Sequence, residues 1–489
     1  MEDIDEEGDE ELLNLSLAIV TNSAHERMKK RKRRDNIDNS DLSSSTYESS
    51  DGKIFRLLQM REQMLKLDHK KKRGGRGGNN CYNDNNIYDP VGDEDGKGLQ
   101  VIRMLLITAT AVNENNVSSA LENLAELYKS VSLCGDSVQR VVAYFADVLA
   151  ARLLTRESPF YDMISKEPTY EEEFVAFTAL YKVSPYYQFA HFTANQAIIE
   201  AFEKEEDKNN RSLHVIDFDV SYGFQWPSLI QSLSEKGSSG SEISLKITGF
   251  GRSLDELRET ENRLLHFSKG CRNLVFEFQG LLHGSNLINL RRKRNETIAV
   301  NLVFHLNSLN NNMKISDSLK SVHLLNPSIV MLVEQEGSRS PRSFLSRFME
   351  SLHYFAAMFD SLDDCLPLES AERLNIEKNH LGKEIKSMLN YENIKEDHRK
   401  TEKSTETWKA RMESHGFEGI NLSSKSKIQA RLLLKIRTHY SPLQFEEESS
   451  TSTAAGFRVF ERDDGRTLSL GWQDRYLLTV SAWHCHCVS

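Results

Sequence analysis

Leu213, Val215 and Ile216, with His214 among them, form an apolar run that ends on Asp217 and a polar turn; an apolar-faced segment then starts at Trp226. A run that is apolar on both faces suits a parallel strand covered by helices on both sides. Pro227 suits the first turn of a helix, where its missing N–H costs nothing, and Leu229, Ile230 and Leu233 keep one helical face apolar. The pattern therefore predicts strand, turn, helix, with Asp217, Asp219 and the turn at the carboxyl end, where open sheets bind ligands. Similar runs predict strands at 243–249, 273–277, 298–304 and 328–334, and Ser253 with Glu256 three residues later predicts a capped helix. Before the first run the spacing is helical, over 98–112, 116–131, 136–154 and 189–202. After the last it predicts helices at 344–359, 369–390, 402–416 and 424–438. The chain closes on a hairpin, 457–461 and 466–470 about Asp463-Asp464-Gly465, and a strand at 476–483.

Five parallel-type strands followed by an antiparallel pair is the order of an α/β, Rossmann-like (methyltransferase-like) core. It is expected over residues 206–489, with a mainly helical cap over 97–205. Residues 1–96 are dominated by charged residues, Ser, Asn and Gly, and are expected to form a disordered tail, because such a segment buries too little apolar surface to offset chain entropy. Three features interrupt it. Leu13, Leu15 and Leu17 alternate after an acidic run, as an extended segment docking into successive pockets would. Lys29, Lys30, Arg31, Lys32, Arg33 and Arg34 form a cation run, echoed at 70–73, that suits nuclear import. Ile54, Leu57, Leu58, Met64 and Leu65 fall at helical spacing, for a partner or for the cap.

Composition narrows the classes. The chain has 489 residues, is 39% hydrophobic and carries a net charge of −10, so any DNA contact needs a local basic patch. Arg291, Arg292, Lys293 and Arg294, between two predicted strands, are one such patch, a phosphate contact or a solvated loop. No apolar run approaches the ~18 residues of a membrane helix. The acidic opening lacks the basic start of a secretory signal, and six scattered cysteines suit reduced thiols. An intracellular protein with no membrane partner is expected.

Catalytic signals are weak. An S-adenosylmethionine methyltransferase needs a glycine-rich turn after the first strand, and here Phe218, Val220 and Tyr222 crowd it around Gly223 alone. The second strand ends Thr248-Gly249-Phe250-Gly251, without the acidic residue that holds a ribose. Glu334-Gln335-Glu336, with His353, offers acid–base chemistry or simple helix capping. In His484-Cys485-His486-Cys487 adjacent residues point to opposite faces of a strand, which disfavours a zinc site; no metal and no cofactor are expected. Trp226, Trp472 and Trp483 suit core anchors.

His214, Val215, Ile216, Asp217, Gln225, Trp226 and Pro227 resemble the VHIID motif of the plant GRAS family, with Leu213 and Val215 as departures. The stretch Phe189-Ala190-His191-Phe192-Thr193-Ala194-Asn195-Gln196-Ala197 is similar to that family's lead-in. Phe344-Leu345, Tyr354-Phe355, Pro367-Leu368-Glu369-Ser370 and Gly382-Lys383-Glu384 resemble its PFYRE region, with Leu368 and Lys383 departing. Trp408 with Gly416, then Trp472, Ser481, Ala482 and Trp483, resemble its SAW region, whereas Ile394-Lys395-Glu396-Asp397 matches the RVER-like segment poorly. The resemblance runs from about residue 97 onward, and the lack of a DELLA-type N-terminal motif points to the SCARECROW-like members. It implies a nuclear, non-enzymatic transcriptional regulator that associates with other regulators, GRAS proteins included, as a homo- or heterodimer. Separately, Leu13, Leu15 and Leu17 resemble the LxLxL pattern of plant repression motifs, which implies recruitment of a corepressor. The alternatives are a direct sequence-specific DNA-binding factor and a methyltransferase-like enzyme. Target genes, pathway, and activation versus repression are not written in the sequence.

Overall fold

A computed structural model describes residues 50–70, 94–154, 161, 164–238, 241–285, 287, 290, 295–309, 312–336, 343–389, 407–438 and 456–486. The described residues divide into two compact units, one within 177–336 and 407–486, the other within 50–176 and 343–389.

The first unit holds the sheet: β1 (Ser212–Asp217), β2 (Ile243–Gly251), β3 (Leu274–Leu282), β4 (Thr297–Val303), β5 (Ile329–Gln335), β6 (Phe417–Ile420), β7 (Phe457–Arg462), β8 (Thr467–Trp472) and β9 (Arg475–Cys485). Its order is β3-β2-β1-β4-β5-β9-β8-β7, with β6 also paired to β9. β1 to β5 are mutually parallel, and all six residues of β1 are buried between β2 and β4. Helices Trp226–Lys236 and Pro185–Lys204 pack against the sheet. Ile315, Leu319 and Val322 of helix Asn312–Leu325 join Val300, Leu302 and Trp483 in one buried cluster. Each such side chain, fully buried, contributes about 1.5–3 kcal/mol.

The described elements that lie wholly in the second unit are all helical: Ser50–Lys70, Glu94–Asn113, Val117–Ser130, Ser137–Leu153, Phe344–Cys365, Ala371–Ile376, a π-helical turn Glu377–Leu381, and Gly382–Leu389. Caps set the helix starts: Asn116 accepts from the Ser119 N–H, and Asp136 from that of Gln139. Phe145 meets Phe348 edge-on at 5.2 Å. The single helix expected at 369–390 is interrupted where Glu377 is buried between Arg140 (2.9 Å) and Arg373 (2.7 Å). Its π turn puts that carboxylate on both guanidinium groups. Helix Ser50–Lys70 covers much of the amphipathic segment read within the tail.

The expected Rossmann-like, methyltransferase-like core is corrected by these findings. Helix makes up 61% of the described residues, and the sheet is an open, mixed one in a helix-rich fold. Four antiparallel strands lie beyond β5: the expected hairpin (β7 and β8), the expected last strand (β9), and β6, which was not expected. β6, only four residues long and only partly buried, leaves too brief a pattern to be read. Helices at 170–183 and 312–325, which carry part of the core, were also not anticipated.

Candidate functional site

The first strand ends in a buried polar network. The Asp217 carboxylate accepts from Asn301 Nδ2 (3.0 Å) on β4, from Trp226 Nε1 (3.0 Å) and from the Asp219 N–H (3.3 Å). Asn301 Nδ2 also donates to Gln225 Oε1 (3.0 Å), while Gln225 Nε2 donates to Asn301 Oδ1 and Asn195 Oδ1, both at 3.1 Å. Asn195 Nδ2, from helix Pro185–Lys204, donates to the Gln225 carbonyl and to Ser228 Oγ, each at 2.8 Å. All six of these side chains are buried. The network ties β1, β4, the turn and two helices together at one point. Burial pushes the Asp217 carboxyl up to about 7, against the pull of the Asn301 and Trp226 hydrogen bonds.

Among the motif residues, Asp217, Gln225 and Trp226 are thus brought together. Val215 and Ile216 are core, and Pro227 sits in the first turn of helix Trp226–Lys236. His214 is buried apart from the network, with Nε2 2.9 Å from Thr248 Oγ1 and Nδ1 3.3 Å from Glu296. Asn301 was missed. Its one signal is a polar residue inside the apolar run Ile298-Ala299-Val300-Asn301-Leu302-Val303.

The turn itself is filled from within. Phe218 stacks on Phe250 at 5.5 Å and meets the His305 ring at 5.2 Å. Tyr222 and Phe224 lie 5.0 and 5.1 Å from Phe177, and Phe224 lies 4.8 Å from Tyr181. The Val220 N–H donates to the Phe250 carbonyl (2.9 Å), folding the turn onto the end of β2. A Cβ at Gly249 would stand 2.9 Å from Val220 Cβ, so close approach is needed there. Gly223 adopts φ +76° and faces Thr260. Aromatic side chains occupy the carboxyl ends of β1 and β2, and the residues present do not fit an adenosyl cofactor.

Glu334, the other carboxylate considered for chemistry, accepts from the Leu306 and Asn307 N–H groups at 3.0 and 3.1 Å and so caps the short helix His305–Ser308. Glu336 pairs with Arg462 at 3.0 Å. His353 lies exposed on helix Phe344–Cys365 of the second unit.

In the C-terminal motif, Trp483 Nε1 donates to Ser481 Oγ (2.8 Å), which donates to the Leu332 carbonyl of β5 (3.4 Å). Ala482 pairs with Met331 on one side and Ile420 on the other. Trp472 packs edge-on against Phe457 at 4.9 Å. His484 and His486 both face Glu418, while Cys485 is buried with its thiol toward the His323 carbonyl. Among the described residues no three His, Cys, Asp or Glu side chains cluster as a metal site, and no helix is long and apolar enough to cross a membrane.

Leu13, Leu15 and Leu17, the cations 29–34 and 71–73, Arg291, Arg292, Lys293 and Arg294, residues 394–397 and Cys487 lie outside the described residues.

Comparison with known proteins adds what geometry cannot. The GRAS domain family profile matches residues 101–484. Over 397 residues the chain is 35% identical to Protein SCARECROW of Arabidopsis thaliana, covering 80% of this chain and 56% of that protein. It is 32% identical over 430 residues to Scarecrow-like protein 18 of the same plant, covering 78% of this chain and 90% of that one. A crystal structure of SCL7 from Oryza sativa superposes with a TM-score of 0.60 at 28% identity, over 78% of this chain and 99% of that one. The chain spans about half the length of the SCARECROW proteins it matches, 56% and 44% for those of Arabidopsis thaliana and Pisum sativum. With the family profile covering most of its length and the motif residues gathered around Asp217, this chain belongs to the GRAS family.

Proposed function

We propose that this chain is a non-enzymatic transcriptional regulator that acts in the nucleus by associating with other regulators. Family membership supports the regulatory role. The observation that carries the non-enzymatic reading is the turn after β1, which packs Phe218, Val220, Tyr222 and Phe224 into the place a nucleotide-like ligand would occupy. In this reading Asp217 holds the scaffold rather than a substrate. Other GRAS proteins are the partner class, in homo- or heterodimers. Lys29, Lys30, Arg31, Lys32, Arg33 and Arg34 serve nuclear import, and Leu13, Leu15 and Leu17 dock a corepressor. DNA is reached through partners or through Arg291, Arg292, Lys293 and Arg294.

Two measurements test this together. Proteins co-purifying with the chain from nuclear extract should be transcriptional regulators. Calorimetric titration of S-adenosylmethionine should give no binding tighter than about millimolar, roughly −4 kcal/mol. A saturable micromolar isotherm that disappears in Asp217→Ala, with melting unchanged, would replace the regulator with an enzyme.

A further inference from the structure

Helix Ser50–Lys70 lies before the residues that the family profile matches, yet it is packed into the second unit. Leu57 and Leu58 are each 4% exposed and Met64 7%, on a face laid against helix Val117–Ser130. Between them Arg61 makes a two-pronged ion pair with Asp147 of helix Ser137–Leu153, Nε to Oδ1 at 2.7 Å and Nη2 to Oδ2 at 2.6 Å. Tyr128 Oη donates to the same carboxylate at 2.7 Å. At the helix start Lys53 donates to Ser118 (3.3 Å). Asp147 is itself buried, and a fork-on-fork guanidinium is the partner that best compensates a buried carboxylate.

The groove therefore reads a specific pattern: two adjacent apolar residues, an arginine three positions after the second, and an apolar residue three further on. Lodging anchors at this spacing in a groove is how one helix recognises another. The helix is joined to Glu94 through residues 71–93, where glycine and asparagine abound and no helical apolar face runs through. At ~3.3–3.6 Å per residue the greatest span that 23 residues can reach is about 76–83 Å.

We propose that the surface formed by helices Val117–Ser130 and Ser137–Leu153 is a helix-binding site, and that the chain's own Ser50–Lys70 segment is its resident, exchangeable occupant. A partner helix with the same apolar pair, arginine and apolar anchor gains access by displacing it, with Asp147 as the charge that selects the arginine. The segment thus acts as an internal competitor.

The test uses the full chain with a specific protease site placed within residues 71–93. After cutting, the N-terminal fragment should co-elute with the remainder at micromolar concentration, and a fluorescently labelled 50–70 peptide should exchange into the complex within hours. The Arg61→Glu version, cut in the same way, should lose its fragment and bind labelled wild-type peptide at least tenfold more readily than uncut native chain. Leu57→Ala with Leu58→Ala gives a second route to the same loss if Arg61→Glu disturbs folding, with circular dichroism confirming that the remainder stays helical. A fragment that separates from the native remainder would overturn the site. One that stays but never exchanges would overturn the competitor role, and equal retention by Arg61→Glu would overturn the charge reading.

Discussion

Asp217 is a carboxyl that burial holds near 7, well above its value in an unfolded chain. Its folded form binds a proton more tightly than its unfolded form. The stabilisation is therefore complete below about pH 4 and is lost as pH rises through about 7. Across that window unfolding free energy should fall with rising pH by at most about 1.4 kcal/mol per unit. His191 acts oppositely: burial pulls it down to about 3, so its contribution is present above about 6.5 and is lost as pH falls. Asp217→Asn separates the two. It should cost about 1–3 kcal/mol at pH 5, because one side-chain oxygen replaces two as acceptor for Asn301 and Trp226, and should flatten the slope between pH 5 and 7. Urea unfolding at pH 5, 6, 7 and 8 checks this, and an unchanged slope would mean that Asp217 does not titrate there. Asp217 stood out in the sequence because it ends an apolar run, and Gln225 and Trp226 because the stretch resembles the VHIID motif. That Asn301 bonds to two of them was not readable, because a contact across 84 residues leaves no local pattern.

β9 is the element that joins the two halves of the sheet, between β5 on one side and β8 and β6 on the other. Trp483 packs at that junction with residues of β4, β5 and β6, whereas Trp472 packs on Phe457 of the outermost strand. Trp483→Ala should accordingly cost about 3–5 kcal/mol and raise hydrogen exchange along β5 and β6. Trp472→Ala should cost less and loosen only β7 and β8. Comparable losses from the two, or exchange confined to β7 in both, would contradict the central place given to β9. Both tryptophans were legible as core anchors from their apolar neighbours. The β7–β8 hairpin was legible too, whereas the pairing of β9 with β5 and the strand β6 were not, since that pairing depends on register between distant segments.

For the whole molecule, charge and regular structure are distributed unevenly along the chain. A net charge of −10 coexists with six adjacent cations at 29–34. Replacing those six with Ala should shift a fluorescent fusion toward the cytoplasm, and a fusion still fully nuclear after residues 70–73 are also neutralised would remove the import role. Most element positions could be read from apolar spacing, yet the fold class was misjudged. Strand runs carry a strong local signal that draws attention to the sheet, while the helices that make up most of the described structure were read as its accessories. The arrangement also has a consequence for how the protein is made. Leu332 of β5 meets Ser481 of β9 at a separation of 149 residues. At roughly 5–20 residues per second, β5 waits about 7–30 s on the ribosome with one edge unpaired. During that interval the apolar segment Ile329-Val330-Met331-Leu332-Val333 is an adhesive surface, so yield should depend on chaperone supply and synthesis speed more than on the stability of the finished fold.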